Sequence, residues 1–337
     1  MSTPQKNRRF SVAVVQGGPA SEAEVSRASA ASVARALEAA GHHAVRLELD
    51  AYLADGLRTG GYDVVFPVAH GAVGEDGSLQ GLLEVLDLPY VGSGVLASAL
   101  AMNKRTAKVL FAEAGLPVAP SVAAPRGVTG ATDVAERAIV ALGDKVVVKP
   151  CSNGSAIGVA RLSEGATVAD IAKAIEAAWA VDDTALVERF AAGREVTCGV
   201  LDAPFWRPDA PALPPTEIRA PADAFYTYQA RYAPGRSQHF CPAPLGDDLS
   251  RRVQAIAVAA HRALGCRDLS RVDFVVPDAG EPTLLEVNTM PGFTETSLYP
   301  EAAAIAGVPM PELCSGLVHA AVERGPTRRN AALPLPK

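Results

Sequence analysis

The sequence predicts an α/β protein, and three stretches carry that expectation. Phe10 to Val15 reads as a buried parallel strand that stops at Gly17-Gly18 and passes into an alanine-rich helical pattern from about Ser21 to Ala40, the strand–glycine–helix opening of an α/β unit. Lys145 to Pro150, KVVVKP, is an apolar strand that closes on a lysine and runs into a loop of small residues, Cys151 to Gly158. Ser270 to Val276 and Leu284 to Asn288 are two further strand candidates, joined by the turn Pro277-Asp278-Ala279-Gly280 as a hairpin.

Composition narrows the field. The chain has 337 residues, enough for two or three domains with ample core. Half of it is apolar (49%) and a fifth is charged, as in a soluble globular protein. A net charge of −6 argues against nucleic-acid binding built on phosphate neutralisation. No apolar run approaches the length that spans a bilayer, and the segment after Lys6, Arg8 and Arg9 is too short for a signal peptide, so the reading is cytoplasmic with no membrane partner. Cys151, Cys198, Cys241, Cys266 and Cys314 are scattered and odd in number, which indicates neither a zinc site nor a disulfide framework.

Taken in order, the first helix has Ser21 as its candidate cap, with Glu22 and Glu24 in the first turn, where the helix dipole favours acids. Capping alone explains Glu22, yet a carboxylate there also faces the carboxyl edge of the sheet, where ligands sit in such folds. Val45 to Leu49 and Tyr62 to Ala69 are the next strands, the latter ending in His70-Gly71. Gly71 to Gly77 carries three glycines and an acidic pair before a helix from Ser78 to Leu86. Leu88 to Gly94 resembles a short strand and turn, which puts a domain edge near residue 100.

A helix from Met102 to about Ala114 carries Lys104 near its start. Pro117 to Ala124 is a strand, 132–142 a helix, and Lys149 then stands at the mouth of the glycine-bearing loop Ser152 to Gly158. Such a loop is a phosphate cradle when its N–H groups point inward, or else a plain hairpin. It is not a Walker A loop, because no Gly-Lys-Ser/Thr follows. Past helix 167–180, Glu188 and Glu195 straddle a short turn; they suit an adenine amino group and a ribose diol, or simply the surface. From Asp202 to Pro244 the strand pattern gives way to prolines and aromatics, and Tyr226, Tyr228 and Tyr232 favour an ordered lid. A helix from Asp247 to Leu264 leads to the hairpin, and a helical end from about Leu298 to Arg324 precedes a Pro-rich tail.

The hairpin holds the chemistry. Glu286 and Asn288 are two apart and share one strand face, as do Arg271 and Asp273. If the two faces coincide, the cluster offers two carboxylates and an amide oxygen beside a guanidinium, an inventory that suits Mg²⁺–nucleotide better than zinc. The alternative is a hairpin with a solvated acidic edge. Beyond the strand, Met290-Pro291-Gly292-Phe293-Thr294 must turn sharply, and its glycine lets backbone N–H groups approach a ligand.

Six ordered motifs go further: GGPASEAEVS, HGAVGEDGSLQG, PYVGSGVLASALAMNK, VVKPCSNGSAIGV, FYTYQARY…FCPAPL and RVDF…LLEVNTMPGFTETSLYP. With them the chain resembles the D-alanine–D-alanine ligase family of the ATP-grasp superfamily from about Val12 to Val322. The resemblance implies a three-domain ATP-grasp fold with an N-terminal parallel-sheet (preATP-grasp) domain: 1–100, a central subdomain 101–187, a C-terminal subdomain 188–325 with lid 202–244, and a tail 326–337. It implies that Lys104, Lys149 and Arg231 bind ATP phosphates, that Glu188, Arg189 and Ala191 meet the adenine, and that Glu195 holds the ribose. Asp273, Glu286 and Asn288 would hold two Mg²⁺ ions, for which Mn²⁺ could substitute. Glu22 would take the first D-alanine's ammonium, and Arg271 with the Gly292 N–H would stabilise the tetrahedral oxyanion. Ser155, Tyr232 and Glu22 would link lid to substrate, while His70, Ser297 and Leu298 would contact substrate. Relatives of this kind are commonly homodimers.

The chain departs from the family pattern at Ala20, where Ser is usual, at Ala23, often His, at Ala156, commonly a second Ser, and at Arg231, usually Lys. Arginine keeps the charge and adds a planar fork, so that exchange is not neutral. Retention of Tyr232 favours a dipeptide ligase over depsipeptide-forming relatives. The departures keep open a sister ligase making D-alanyl-D-serine, D-alanyl-D-lactate or another dipeptide, and, from a different class, an inactive ATP-binding regulator.

Overall fold

Four apolar residues in a row, Val12 to Val15, are fully buried in β1 (Ser11–Gln16), because the strand is covered on both faces. It lies between parallel neighbours β2 (His43–Glu48) and β3 (Val64–Pro67), and a parallel bridge from Val65 to Tyr90 extends the sheet. Between them run α1 (Ala23–Ala39) and α2 (Leu53–Thr59), followed by α3 (Ser78–Val85). The computed structural model describes residues 8–154, 156–219 and 238–326. Ser155, Tyr226, Tyr228, Arg231 and Tyr232 lie outside the described residues.

The start of α1 differs from the expectation. A turn in which the Ala23 N–H donates to the Ala20 carbonyl moves the N-cap to Glu22, and no side chain caps the helix. Ser21 therefore does not cap it, and the Glu22 carboxylate lines a cleft at the carboxyl edge of the sheet. The helix expected from Met102 to about Ala114 begins two residues later as α5 (Lys104–Glu113), and α4 (Val95–Met102) precedes it. Asn103, extended at φ −88° and ψ 97°, breaks them, and its side chain caps α5 by accepting from the Thr106 N–H.

The second sheet comprises β4 (Ser121–Pro125), β5 (Val146–Pro150), β6 (Ala160–Arg161) and β7 (Thr184–Arg189), antiparallel in the order β4-β7-β5-β6. One face is covered by α6 (Ala131–Leu142) and α7 (Val168–Trp179), the latter started by a Thr167–Asp170 capping box. The third sheet holds β8 (Arg194–Asp202), β9 (Thr216–Arg219), β10 (Gln238–Phe240), β11 (Asp268–Val276) and β12 (Thr283–Asn288), in the order β10-β9-β8-β11-β12. β9 and β10 lie inside the segment expected to lack a strand pattern, where Pro211, Pro214 and Pro215 mask the short alternation of Thr216 to Arg219.

Helix packing ties distant parts of the chain together. α8 (Asp247–Ala263), α4 and α5 cover the third sheet, with Phe111, Ile256 and Phe274 in one core. α9 (Leu298–Ile305) and α10 (Met310–Arg324) instead bury Tyr299, Leu313 and Leu317 against Val12, Leu37 and Phe66 of the N-terminal sheet. Among the described residues no single helix is long and apolar enough to cross a membrane, and α9 and α10 meet at a bend of 100°.

A buried ion pair fixes this junction. Asp268, only 2% exposed, accepts from Arg324 Nη2 at 2.9 Å and from the Gly92 N–H at 2.8 Å, while Arg324 Nη2 also donates to the Tyr90 carbonyl. Removing one partner of such a pair strands the other in low dielectric, at a cost of about 3–5 kcal/mol. Arg324→Met is therefore expected to lower the thermal midpoint by several degrees, and adding Asp268→Asn to restore most of it. A thermal unfolding scan of the single and double variants checks this; equal midpoints for wild type and Arg324→Met would contradict it.

Candidate active site

Leu284 and Glu286 would share a face of a regular strand, yet Leu284 is fully buried while Glu286 lines the cleft. A β-bulge at Leu285 resolves this. Asp273 pairs with Glu286 and Phe274 with Leu284, so the extra residue shifts the pleat by one and turns Glu286 and Asn288 to the face opposite Leu284. Arg271 pairs with Asn288 in the same register. All four side chains thereby line one chamber, together with Glu22, His70, Gly292, Ser297 and Leu298.

The carboxylates of this chamber are paired with protein groups. Arg271 grips Asp273 with two bonds of 2.8 Å, and Thr197 Oγ1, opposite on β8, donates to Asp273 Oδ1 at 2.8 Å. Lys104 Nζ lies 3.2 Å from Glu286 Oε2 and donates to the Asn153 carbonyl at 2.7 Å. Asn288 Oδ1 accepts from the Met290 N–H. Gly292 packs close to Ser297: a Cβ there would meet Ser297 Oγ at 2.9 Å, and that hydroxyl would have to shift. Ser297 is the N-cap position of α9, whose N-terminus thus faces the chamber.

A second chamber adjoins the first through Gly154, Glu195, Leu285 and Glu286. It lies between the second and third sheets, and Lys104, Lys149, Glu188 and Ala191 line it. Glu188 is 3% exposed and holds Lys108 at 2.8 Å and Lys149 at 2.9 Å. Burial disfavours its charge, but the two ammonium groups prevail and hold the carboxyl below its ordinary range. Arg189 also lines this chamber, although its guanidinium turns away to the carbonyls of Ala141 and Leu142 at the end of α6. Its backbone, rather than its charge, is what the cleft receives. Glu195 pairs with Arg161 at 2.9 Å.

The loop after β5 reaches across both chambers. A Cβ on Gly154 would lie 2.9 Å from Glu22 Oε2, so the loop passes close to this carboxylate, which would have to shift for a larger residue. The structure thus brings the described candidate site residues to the two chambers, Arg189 by its backbone alone. Sequence reasoning passed over Lys108, Glu75, Thr197 and Arg161. Lys108 follows Lys104 by one helical turn, a spacing that puts both on one face. Thr197 carried no such signal, since its role depends on its register with Asp273.

His70 and Glu75 form a further buried pair, 5% and 9% exposed, with Nδ1 to Oε1 3.9 Å apart. Burial opposes charge on the imidazole, but the Glu75 carboxylate beside it, with Glu22 beyond, raises it above its ordinary 6.5. Glu75 Oε2 is in turn fixed by the Gly71 N–H at 2.6 Å. His70 Nε2 has no hydrogen-bond partner among the described residues, and its ring lines the chamber.

Two antiparallel sheets that face a cleft lined by lysines and carboxylates, set against the carboxyl edge of a parallel sheet, define an ATP-grasp protein. Residues 53–93 match the family described as D-ala D-ala ligase N-terminus, and residues 110–319 match D-ala D-ala ligase C-terminus. Among curated relatives, the D-alanine–D-alanine ligase of Geobacter sulfurreducens is 46% identical over 87% of this chain and 87% of its own. That of Anaeromyxobacter dehalogenans is 43% identical over 92% of this chain and 96% of its own. The solved D-alanine–D-alanine ligase of Coxiella burnetii superposes with a TM-score of 0.80 at 28% identity, covering 94% of each chain. That of Bacillus anthracis complexed with ATP gives a TM-score of 0.78 at 27% identity, covering 93% of this chain and 98% of its own. The chain belongs to the D-alanine–D-alanine ligase family.

Because the folded-state pKa of His70 is raised, the stability contributed by its charged form is fully present below pH 6.5 and is lost as pH rises through the folded value. Glu75→Gln removes the main source of that rise. NMR titration of the His70 imidazole is expected to give a lower pKa in Glu75→Gln than in the wild type; an unchanged value would separate Glu75 from the histidine's charge.

Proposed function

We propose that the chain joins two D-alanines into D-alanyl-D-alanine at the cost of ATP, through a D-alanyl phosphate, for peptidoglycan precursor synthesis in the cytoplasm. One observation carries the reading: the acid–amide trio Asp273, Glu286 and Asn288 and the lysines Lys104 and Lys149 face into adjoining chambers, with Glu22 and His70 on the opposite wall. Groups of both charges are thus available for a substrate that carries phosphates and divalent ions at one end and an amino acid at the other.

Asp273, Glu286 and Asn288 fit Mg²⁺, since their oxygens are hard donors that the β11–β12 hairpin brings to one side of the sheet, lining one chamber. Bound by these residues, Mg²⁺ would supply neutralisation of the phosphates' charge. The chain's own residues do the rest. Lys104 and Lys149 take phosphate oxygens, and the loop Ser152 to Gly158 covers them with backbone N–H groups. Glu188 and the Arg189–Ala191 backbone receive the adenine, with Glu195 on the ribose. Glu22 holds the first D-alanine's ammonium so that its carboxylate oxygen attacks the γ-phosphorus and ADP leaves. The second D-alanine, its carboxylate at Ser297 and Leu298 on the N-terminus of α9, attacks the acyl carbon through its amine. Arg271 and the Gly292 N–H hold the oxyanion that forms, and phosphate departs as the peptide bond closes. The lid of residues 202–244, with Arg231, Tyr232 and Ser155, excludes water from the acylphosphate.

We also propose the division into units 1–100, 101–187 and 188–325 with tail 326–337, and a homodimer. Phosphate release from ATP and Mg²⁺ with D-alanine, followed by mass spectrometry, tests the function. D-alanyl-D-alanine as dominant product is expected even when D-serine, D-lactate or L-alanine competes. A dominant mixed product, or no turnover, would overturn the reading.

Asp273→Asn and Glu286→Gln are each expected to lower turnover by more than the roughly 10–100-fold typical of losing a group that only supports a metal ligand. Near-wild-type rates at saturating Mg²⁺, with the fold intact by circular dichroism, would refute the metal assignment.

A further inference from the structure

Lys108 is 5% exposed and is not among the residues that line either chamber. It stands behind Glu188. The carboxylate is gripped from two sides, by Lys108 Nζ from α5 on Oε1 at 2.8 Å and by Lys149 Nζ from β5 on Oε2 at 2.9 Å. The two lysines differ in one respect that matters: Lys149 opens onto the cleft and Lys108 does not. Resting on the nucleotide reading above, the arrangement has a consequence. When a phosphate oxygen draws Lys149 away, Glu188 keeps its charge in a buried site only if another cation remains.

We propose that Lys108 is a positioning residue for nucleotide binding: it anchors Glu188 from behind, so that Glu188 can release Lys149 to the phosphates and turn a free lone pair to the purine amino group. A carboxylate has about four lone-pair sites, so one bond to Lys108 leaves room for the amino group. Burial lowers the Lys108 pKa, and Lys149 repels it, while Glu188 works in the opposite direction. The held lysine therefore depends on Glu188 as much as Glu188 depends on it. Helix α5 fixes both ends of the arrangement, because Lys104, one turn earlier, reaches Glu286 and the Asn153 carbonyl of the phosphate-covering loop. One helix thus aligns the adenine end and the phosphate end of the cleft.

The test uses the full chain as wild type, Lys108→Met, Glu188→Gln and the double variant, each titrated calorimetrically with ATP and with inosine triphosphate in Mg²⁺, alongside steady-state kinetics with D-alanine. Lys108→Met is expected to raise both the Kd and the KM for ATP about tenfold or more while kcat stays within about twofold. Inosine triphosphate, which has no amino group to gain from Glu188, is expected to lose severalfold less than ATP, because it forfeits only the release of Lys149 to the phosphates. The double variant is expected to bind ATP no worse than Glu188→Gln alone, because Lys108 acts only through Glu188. That comparison still decides the matter if Lys108→Met does not fold. ATP affinity in Lys108→Met within twofold of wild type, an equal loss for both nucleotides, or fully additive losses in the double variant would overturn the inference. A wild-type chain that does not bind ATP would overturn the functional reading as well, and the two failures are thereby told apart.

Discussion

The charged groups that line the cleft are held against opposite charges, and the site is built around that pairing. Glu188 holds Lys108 and Lys149, Glu286 holds Lys104, Asp273 holds Arg271, and Glu75 holds His70. Each pairing offsets the desolvation of both partners. The same pairing makes the site responsive, because a polyphosphate with its divalent ions carries both charges and can take the place of both partners at once. On the proposed reading, lysines would pass to phosphate and carboxylates to metal, so that no charge is stranded in between.

Such an exchange needs the groups to be aimed, and the fold aims them from separate elements. The bulge at Leu285 puts Glu286 in phase with Asp273, and Thr197 fixes Asp273 from the neighbouring strand. α5 packs on the third sheet while its lysines reach the second, so the two walls of the cleft share one support. The pair Asp268–Arg324 joins the start of β11 to α10 and to the N-terminal sheet at Tyr90 and Gly92. Through it the wall bearing Glu22 and His70 is held at a set distance from the wall bearing Asp273.

Much of this was legible in the sequence, for reasons that also explain what was not. Long apolar runs such as Phe10 to Val15 and Lys145 to Pro150 announce strands, and period-two spacing put Arg271 with Asp273 and Glu286 with Asn288 on common faces. The bulge had no signal, since Leu284-Leu285-Glu286 contains neither glycine nor proline. α2, a short helix of 7 residues, fell below a readable period, and β9 was hidden among prolines. Ser21 looked like a cap, but the Ala20–Ala23 turn advanced the helix start by one position. Arg189 shows the limit of assigning a side chain by its place in a motif: its guanidinium bonds to the end of α6, away from the cleft. Lys108 was within reach of helical spacing, yet a lone lysine on a helix usually has a solvated head, and only burial distinguishes this one.

Protein cations hold the carboxylates of the nucleotide-free cleft, and nucleotide is expected to replace them. Counting bound Mn²⁺ per chain by electron paramagnetic resonance, with and without ATP, tests this most directly. Little binding of Mn²⁺ alone and two ions per chain with ATP is the result predicted. Tight binding of Mn²⁺ in the absence of nucleotide would contradict the account, since Lys104 and Arg271 would then be no competitors for Glu286 and Asp273.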